Sequence, residues 1–231
     1  MTAMSRATLL RAWWIFFAGS VLLLSLLFAW RPLWIREALF GLSLLQLVVG
    51  LTLARRGGVA PEGLFTGRGW GVALGILALL LLLEQVVVAH AFGPRQGWLQ
   101  AAIELVRRVV LIGFVEELWF RGVWMALFRE RMAISIGLGS LLFGLMHLPG
   151  SGEAVVYTTG VGLLFAAARQ RGASILTLAL AHGALDWINR VVFPGSAFRM
   201  GPVASMTLYA AVCLTATVVL LWRDNQSPRL P

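Results

Sequence analysis

The sequence contains no lysine, one cysteine, two tyrosines and three histidines in 231 residues. Only 13% of its residues are charged, about half the share of an ordinary soluble domain. A single cysteine, Cys213, excludes a disulfide framework and a cysteine-based zinc site. It sits in an apolar run and reads as a small packed hydrophobe. The scarcity of charge excludes a separate soluble domain, because no stretch is polar enough or long enough to form one. All nineteen basic residues are arginine, and they give a net charge of +9. That excess would suit nucleic acid if it clustered on one face. Here the arginines stand singly or in pairs between apolar runs, so nucleic acid is not an expected partner. Arginines flanking spans instead read as topology signals.

What fills the chain is apolar: 59% of the residues are hydrophobic, ten of them tryptophan. "AWWIFFAGSVLLLSLLFAW" and "GVALGILALLLLLEQVVVA" are each long enough to cross a bilayer core, which takes ~20 helical residues. The run at 12–30 is longer than a signal-peptide core and lacks an A-x-A cleavage site, so it reads as a membrane helix. The expected fold is all-α: one integral-membrane domain over 1–231, a polytopic bundle of about eight helices at 12–30, 35–54, 70–92, 101–127, 133–149, 154–169, 173–192 and 203–222. An even count puts both termini on one side. Placing them inside gathers Arg6, Arg11, Arg55, Arg56, Arg68, Arg129, Arg131, Arg169, Arg171, Arg223 and Arg229 there, and leaves Arg31, Arg36, Arg95, Arg190 and Arg199 outside, so N-in and C-in is expected. Gly71 with Gly75, Ser140 with Gly144, and Gly160 read as close helix-packing positions. Trp13, Trp14, Trp30, Trp34, Trp70, Trp98 and Trp222 read as an interfacial belt.

Against this background a few ionisable residues stand out. "GFVEELWFRG" places Glu116, Glu117 and Arg121 inside an apolar span. "FGLMH" places His147 four residues after Phe143, and "HGALD" places Asp186 four residues after His182. Charges are costly in hydrocarbon and should face the bundle interior or a water-filled cavity. Residues four apart share a helical face, so Glu117 is expected to pair with Arg121, and the Phe143 ring to buttress His147. Glu116 lies about 100° further round the axis and is the better candidate for the cavity. A carboxylate with two imidazoles suits hydrolysis, in which the carboxylate takes a proton from water and a histidine stabilises the developing oxyanion. The same set also suits zinc held by Glu116, His147 and His182, although HExxH spacing is absent, or a proton relay in a transporter. The bland readings are a buried structural ion network and an i,i+4 helix pair. Glu84, paired with Arg107 or Arg108, His90 near an interface, and the Glu104–Arg108 pair read as structural.

"EELWFR", "FGLMH" and "HGALD" match, in order and on successive spans, the EExxxR, FxxxH and HxxxN/D motifs. The region they cover, roughly 101–190, resembles the CPBP family of intramembrane endopeptidases, the CAAX-protease and bacteriocin-processing (Abi) group related to Rce1. The resemblance implies a glutamate-dependent protease with eight helices and no metal cofactor. Glu116 would activate water with help from His147, His182 and position 186 would stabilise the oxyanion, and Glu117 and Arg121 would complete the first motif. Position 186 is aspartate where CAAX-processing relatives carry asparagine, and an ionised aspartate has no hydrogen to donate; it would be protonated or would orient His182. The implied substrate is a membrane-tethered protein or peptide. All-arginine usage suits a GC-rich bacterium, and hence its inner membrane. A non-proteolytic scaffold or immunity protein is the other class that the resemblance leaves open.

Overall fold

The computed structural model describes residues 4–30, 35–57, 59, 64–66, 69–90, 97–148, 152–192 and 195–226. They are almost wholly helical: α1 (Arg6–Trp30), α2 (Ile35–Arg56), α3 (Trp70–Val87), α4 (98–127), α5 (Ala133–Leu145), α6 (Gly152–Gln170), α7 (175–192) and α8 (Pro202–Gln226). Segments within α1, α2, α3 and α8 are long and apolar enough to cross a membrane. Their outer faces carry Leu22, Leu45, Leu82 and Val218, each more than half exposed. A helix that is apolar all round belongs in lipid, where exposed leucine carries no penalty. This is an integral membrane protein. Arg31, Arg68, Arg95 and Arg229 lie outside the described residues, so the arginine bias remains a property of the sequence.

The expected third span runs on to residue 92, but α3 ends at Val87. Val88 is extended (φ −119°, ψ 142°). A run of β-branched valines favours that conformation, and a partner is at hand. Strand β1 (Val88–His90) pairs antiparallel with β2 (Gly195–Phe198), Val88 opposite Phe198. The pair ties the end of α3 to the segment that follows α7. The His90 side chain lies outside the described residues.

Two apolar cores meet across the bundle. One gathers α1, α2, the second half of α4, and α5 around Trp13, Leu118 and Trp124. The other gathers α3, α6, α7 and α8 around Leu80, Phe165, Leu178 and Tyr209. Two expectations about packing need correction. Trp13 is no belt residue: it is fully buried, its Nε1 donates to the Trp119 carbonyl at 3.3 Å, and it packs on Trp124 at 4.6 Å. Trp14, Trp30, Trp70, Trp98 and Trp222 are exposed, and Trp34 lies outside the described residues. Gly71 and Gly75 face open space; α3 packs instead through Ala73, Ile76, Leu80, Leu83 and Val87. Gly144 does make a close approach, to Thr159 and the Val155 carbonyl, and Gly160 lies against Cys213.

A further close helix contact, between α4 and α7, was not among the expected ones. A Cβ on Gly113 of α4 would meet the Ala179 carbonyl oxygen at 2.6 Å, and one on Gly183 of α7 would meet Val109 Cα at 2.5 Å. Both obstacles are backbone and cannot swing aside. Gly183→Ala is therefore expected to push α7 from α4, lower stability by about 1–3 kcal/mol, and impair activity by shifting the adjacent His182. Thermal melting in detergent checks the first effect; unchanged melting would show that the helices can part freely.

Candidate active site

Helix α4 supplies the carboxylates, and its geometry is unusual around them. The short α-helical stretch Phe114–Glu117 lies between π-helical turns at Arg108–Gly113 and Leu118–Trp124. Wider π turns reset the direction of the side chains that follow, and they recur at functional sites. The 3.6-residue period of the sequence hides them. Glu117 and Arg121 nevertheless pair as expected, Nε to Oε2 at 3.3 Å, both side chains no more than 2% exposed. The guanidinium also donates through Nη2 to the Gly162 carbonyl at 3.0 Å. It lies 4.5 Å over the Phe143 ring, a cation–π contact that offsets part of its burial.

Glu117 does a second job. Its Oε1 accepts from His182 Nδ1 at 2.9 Å, so this carboxylate fixes the ring of α7 as well as the charge of α4. The opposite nitrogen, Nε2, faces Glu116 Oε2 at 3.6 Å, and His147 Nε2 lies 4.0 Å from the same oxygen. His147 Nδ1 bonds the Phe143 carbonyl oxygen at 2.9 Å. Aromatic rings hold both imidazoles: Phe143 lies 5.1 Å from His147 and 5.8 Å from His182, with Phe165 5.6 Å from His182 on the other side.

Hydrogen-bond chemistry follows from these contacts. A backbone carbonyl and a paired carboxylate only accept, so each Nδ1 carries the hydrogen. In the neutral rings each Nε2 is then an acceptor turned toward another acceptor, Glu116 Oε2, which has no hydrogen-bond partner among the described residues. Separations of 3.6 and 4.0 Å exceed a direct hydrogen bond. A cluster of acceptors suits a two-hydrogen donor, and water is the smallest. Glu116 also lines a narrow apolar cleft with Trp13, Phe16 and Phe17 of α1, Gln46 of α2, and Trp119.

Asp186 is placed differently from the expectation. Its Oδ2 accepts from Arg108 Nη1 at 3.2 Å, and its Oδ1 lies 3.9 Å from Arg190 Nε. The carboxylate ties α7 to α4 through Arg108. Arg108 also lies 3.6 Å from Glu104, while Arg107 bonds Glu104 at 2.7 Å. Thus both arginines expected near Glu84 are engaged elsewhere. The sequence reading gave Arg108 a structural pairing but missed its tie to Asp186, and it missed Phe165. Adjacent arginines within an apolar run were a signal for Arg108, since a buried cation needs an anion. Among the described residues, no three histidine, cysteine, aspartate or glutamate side chains are arranged to hold a metal.

Residues 98–188 match the family model described as type II CAAX prenyl endopeptidase Rce1-like. No curated protein and no solved structure matches the chain.

Proposed function

From the Rce1-like domain over residues 98–188, we propose that this protein is an intramembrane endopeptidase that hydrolyses a peptide bond of a membrane-tethered protein or peptide. The observation that carries the reading is the convergence of Glu116, His147 and His182, from three helices, on one acceptor-lined point. A water there donates one hydrogen to Glu116 and one to His147 Nε2, which leaves an oxygen lone pair free to attack a carbonyl. Glu116 takes the proton as the bond to carbon forms and returns it to the leaving nitrogen as the C–N bond breaks. His182, held by Glu117 through Nδ1, stabilises the oxyanion from Nε2 when its ring carries the second proton. Arg121 pairs with Glu117 and holds it in place. Asp186 positions α7 through Arg108 rather than touching the reacting atoms. The whole chain acts as one eight-span domain with both termini inside, in a bacterial inner membrane, and the substrate is cut close to its own membrane segment, as in CAAX-like C-terminal processing.

The test is direct. Purified protein is incubated with a library of tagged membrane substrates, wild type beside Glu116→Ala, and the fragments are read by mass spectrometry. Fragments unique to the wild type support the reading; equal cleavage by both would remove Glu116 from the mechanism. Strong chelators are expected to leave the rate unchanged. Loss of activity that zinc restores would replace this mechanism with a metal-based one. Vesicle flux without any cleavage would make the cluster a proton relay.

A further inference from the structure

The arginines that look scattered in the sequence gather at one place in the fold. Arg6 at the start of α1, Arg56 at the end of α2 and Arg129 just beyond α4 line a single pocket, with Leu9, Leu53 and Leu127 among its apolar lining residues. These leucines are buried, while all three arginines are exposed. The pocket has a cavity volume of about 290 Å³ and is partly open to its surroundings. Among the described residues Glu130 is its one lining carboxylate, 4.0 Å from Arg129 Nε, and both side chains are more than 70% exposed. Such an exposed pair holds little energy and yields readily to a stronger anion. Among the described residues Arg6 and Arg56 have no carboxylate partner. Arg6 lies 5.4 Å over the Phe128 ring, and Arg56 Nη1 is 3.5 Å from Met4 Sδ, a weak acceptor.

Depth selects the ligand. The membrane-crossing segment of α1 begins at Arg6 and that of α2 ends at Arg56, so both guanidinium groups sit at the level of lipid headgroups. A phosphodiester there meets arginine, which suits phosphate oxygens, while the chains below it meet leucine. Basic pockets between membrane helices are known to hold anionic headgroups. We propose that this pocket binds an anionic phospholipid through its phosphate. The site is separate from the Glu116 cluster: Leu127 is eleven residues further along α4, about 16 Å at helical rise. The proposal needs the membrane reading of the fold and does not depend on the protease reading. A lipid seated there would bridge the ends of α1, α2 and α4.

The experiment is native mass spectrometry of the full chain, released from detergent after exposure to equal phosphatidylglycerol and phosphatidylcholine. Wild type is expected to retain the anionic lipid preferentially. Arg6→Gln, Arg56→Gln and Arg129→Gln should each reduce that preference about fivefold, and together by roughly a hundredfold, from about 1 kcal/mol per arginine near the surface. Arg11→Gln and Arg55→Gln, outside the pocket, should leave it unchanged. Equal retention of the two lipids by wild type overturns the proposal, as does a triple variant with wild-type preference. Inorganic phosphate that displaces the lipid at matched ionic strength overturns it too, in favour of a free-anion site. Should the triple variant fail to fold, the wild-type preference and the single variants read the same quantity.

Discussion

Glu116→Gln is expected to lower the cleavage rate by roughly 10²- to 10⁴-fold, the contribution of a positioned general base, while melting stays close to wild type. The amide has the shape of the carboxylate but cannot take a proton from water. Little cohesion is lost, because Glu116 Oε2 makes no hydrogen bond among the described residues and its contacts to His182 and His147 span 3.6 and 4.0 Å. Glu117→Gln should behave differently. That side chain is fully buried and binds both Arg121 and His182, so stability and activity should fall together. Melting curves beside cleavage assays of the two variants check the contrast. If Glu116→Gln keeps its activity, or if the two glutamines are indistinguishable in both measurements, the division of labour between the glutamates fails.

Arg121→Met should destabilise the protein by about 3–5 kcal/mol, the cost of leaving a buried charge without its partner. The guanidinium lost from Glu117 is buried between Phe143 and the Gly162 carbonyl. The double variant Glu117→Leu with Arg121→Met removes both charges and should recover much of that stability. It should not recover activity, since His182 Nδ1 then has no carboxylate to hold its ring. Denaturation of the three variants in detergent, with activity measured on each, separates the outcomes. Wild-type stability in Arg121→Met would show that the pair is not a structural requirement; activity in the double variant would show that Glu117 need not orient His182.

Much of the site was legible because spacing and cost act locally. The Glu117–Arg121 pair follows from four-residue separation inside an apolar helix, and the contact of Phe143 with His147 follows from the same rule. The selection of Glu116 for the cavity followed from its angular offset from Glu117. What sequence spacing hides is contact between helices. That Glu117 reaches His182 as well as Arg121, that Asp186 answers to Arg108, and that Gly113 and Gly183 let α4 and α7 touch all depend on pairs 65 or more residues apart. Gly71 and Gly75 carry the spacing of a packing motif, yet face outward, because a small residue permits an approach without requiring one. Trp13 sits near a span end but turns inward, where the ring buries more area than at an interface.

The site lies on the seam between the two apolar cores: Phe143 belongs to one and Phe165 to the other, and both rings press on His182. Neither core carries the reactive set by itself, since the glutamates ride on α4 and His182 on α7. Activity therefore reports the union of the two halves. A disturbance that separates them by a fraction of an ångström is expected to part the glutamates from His182 before either half has begun to melt.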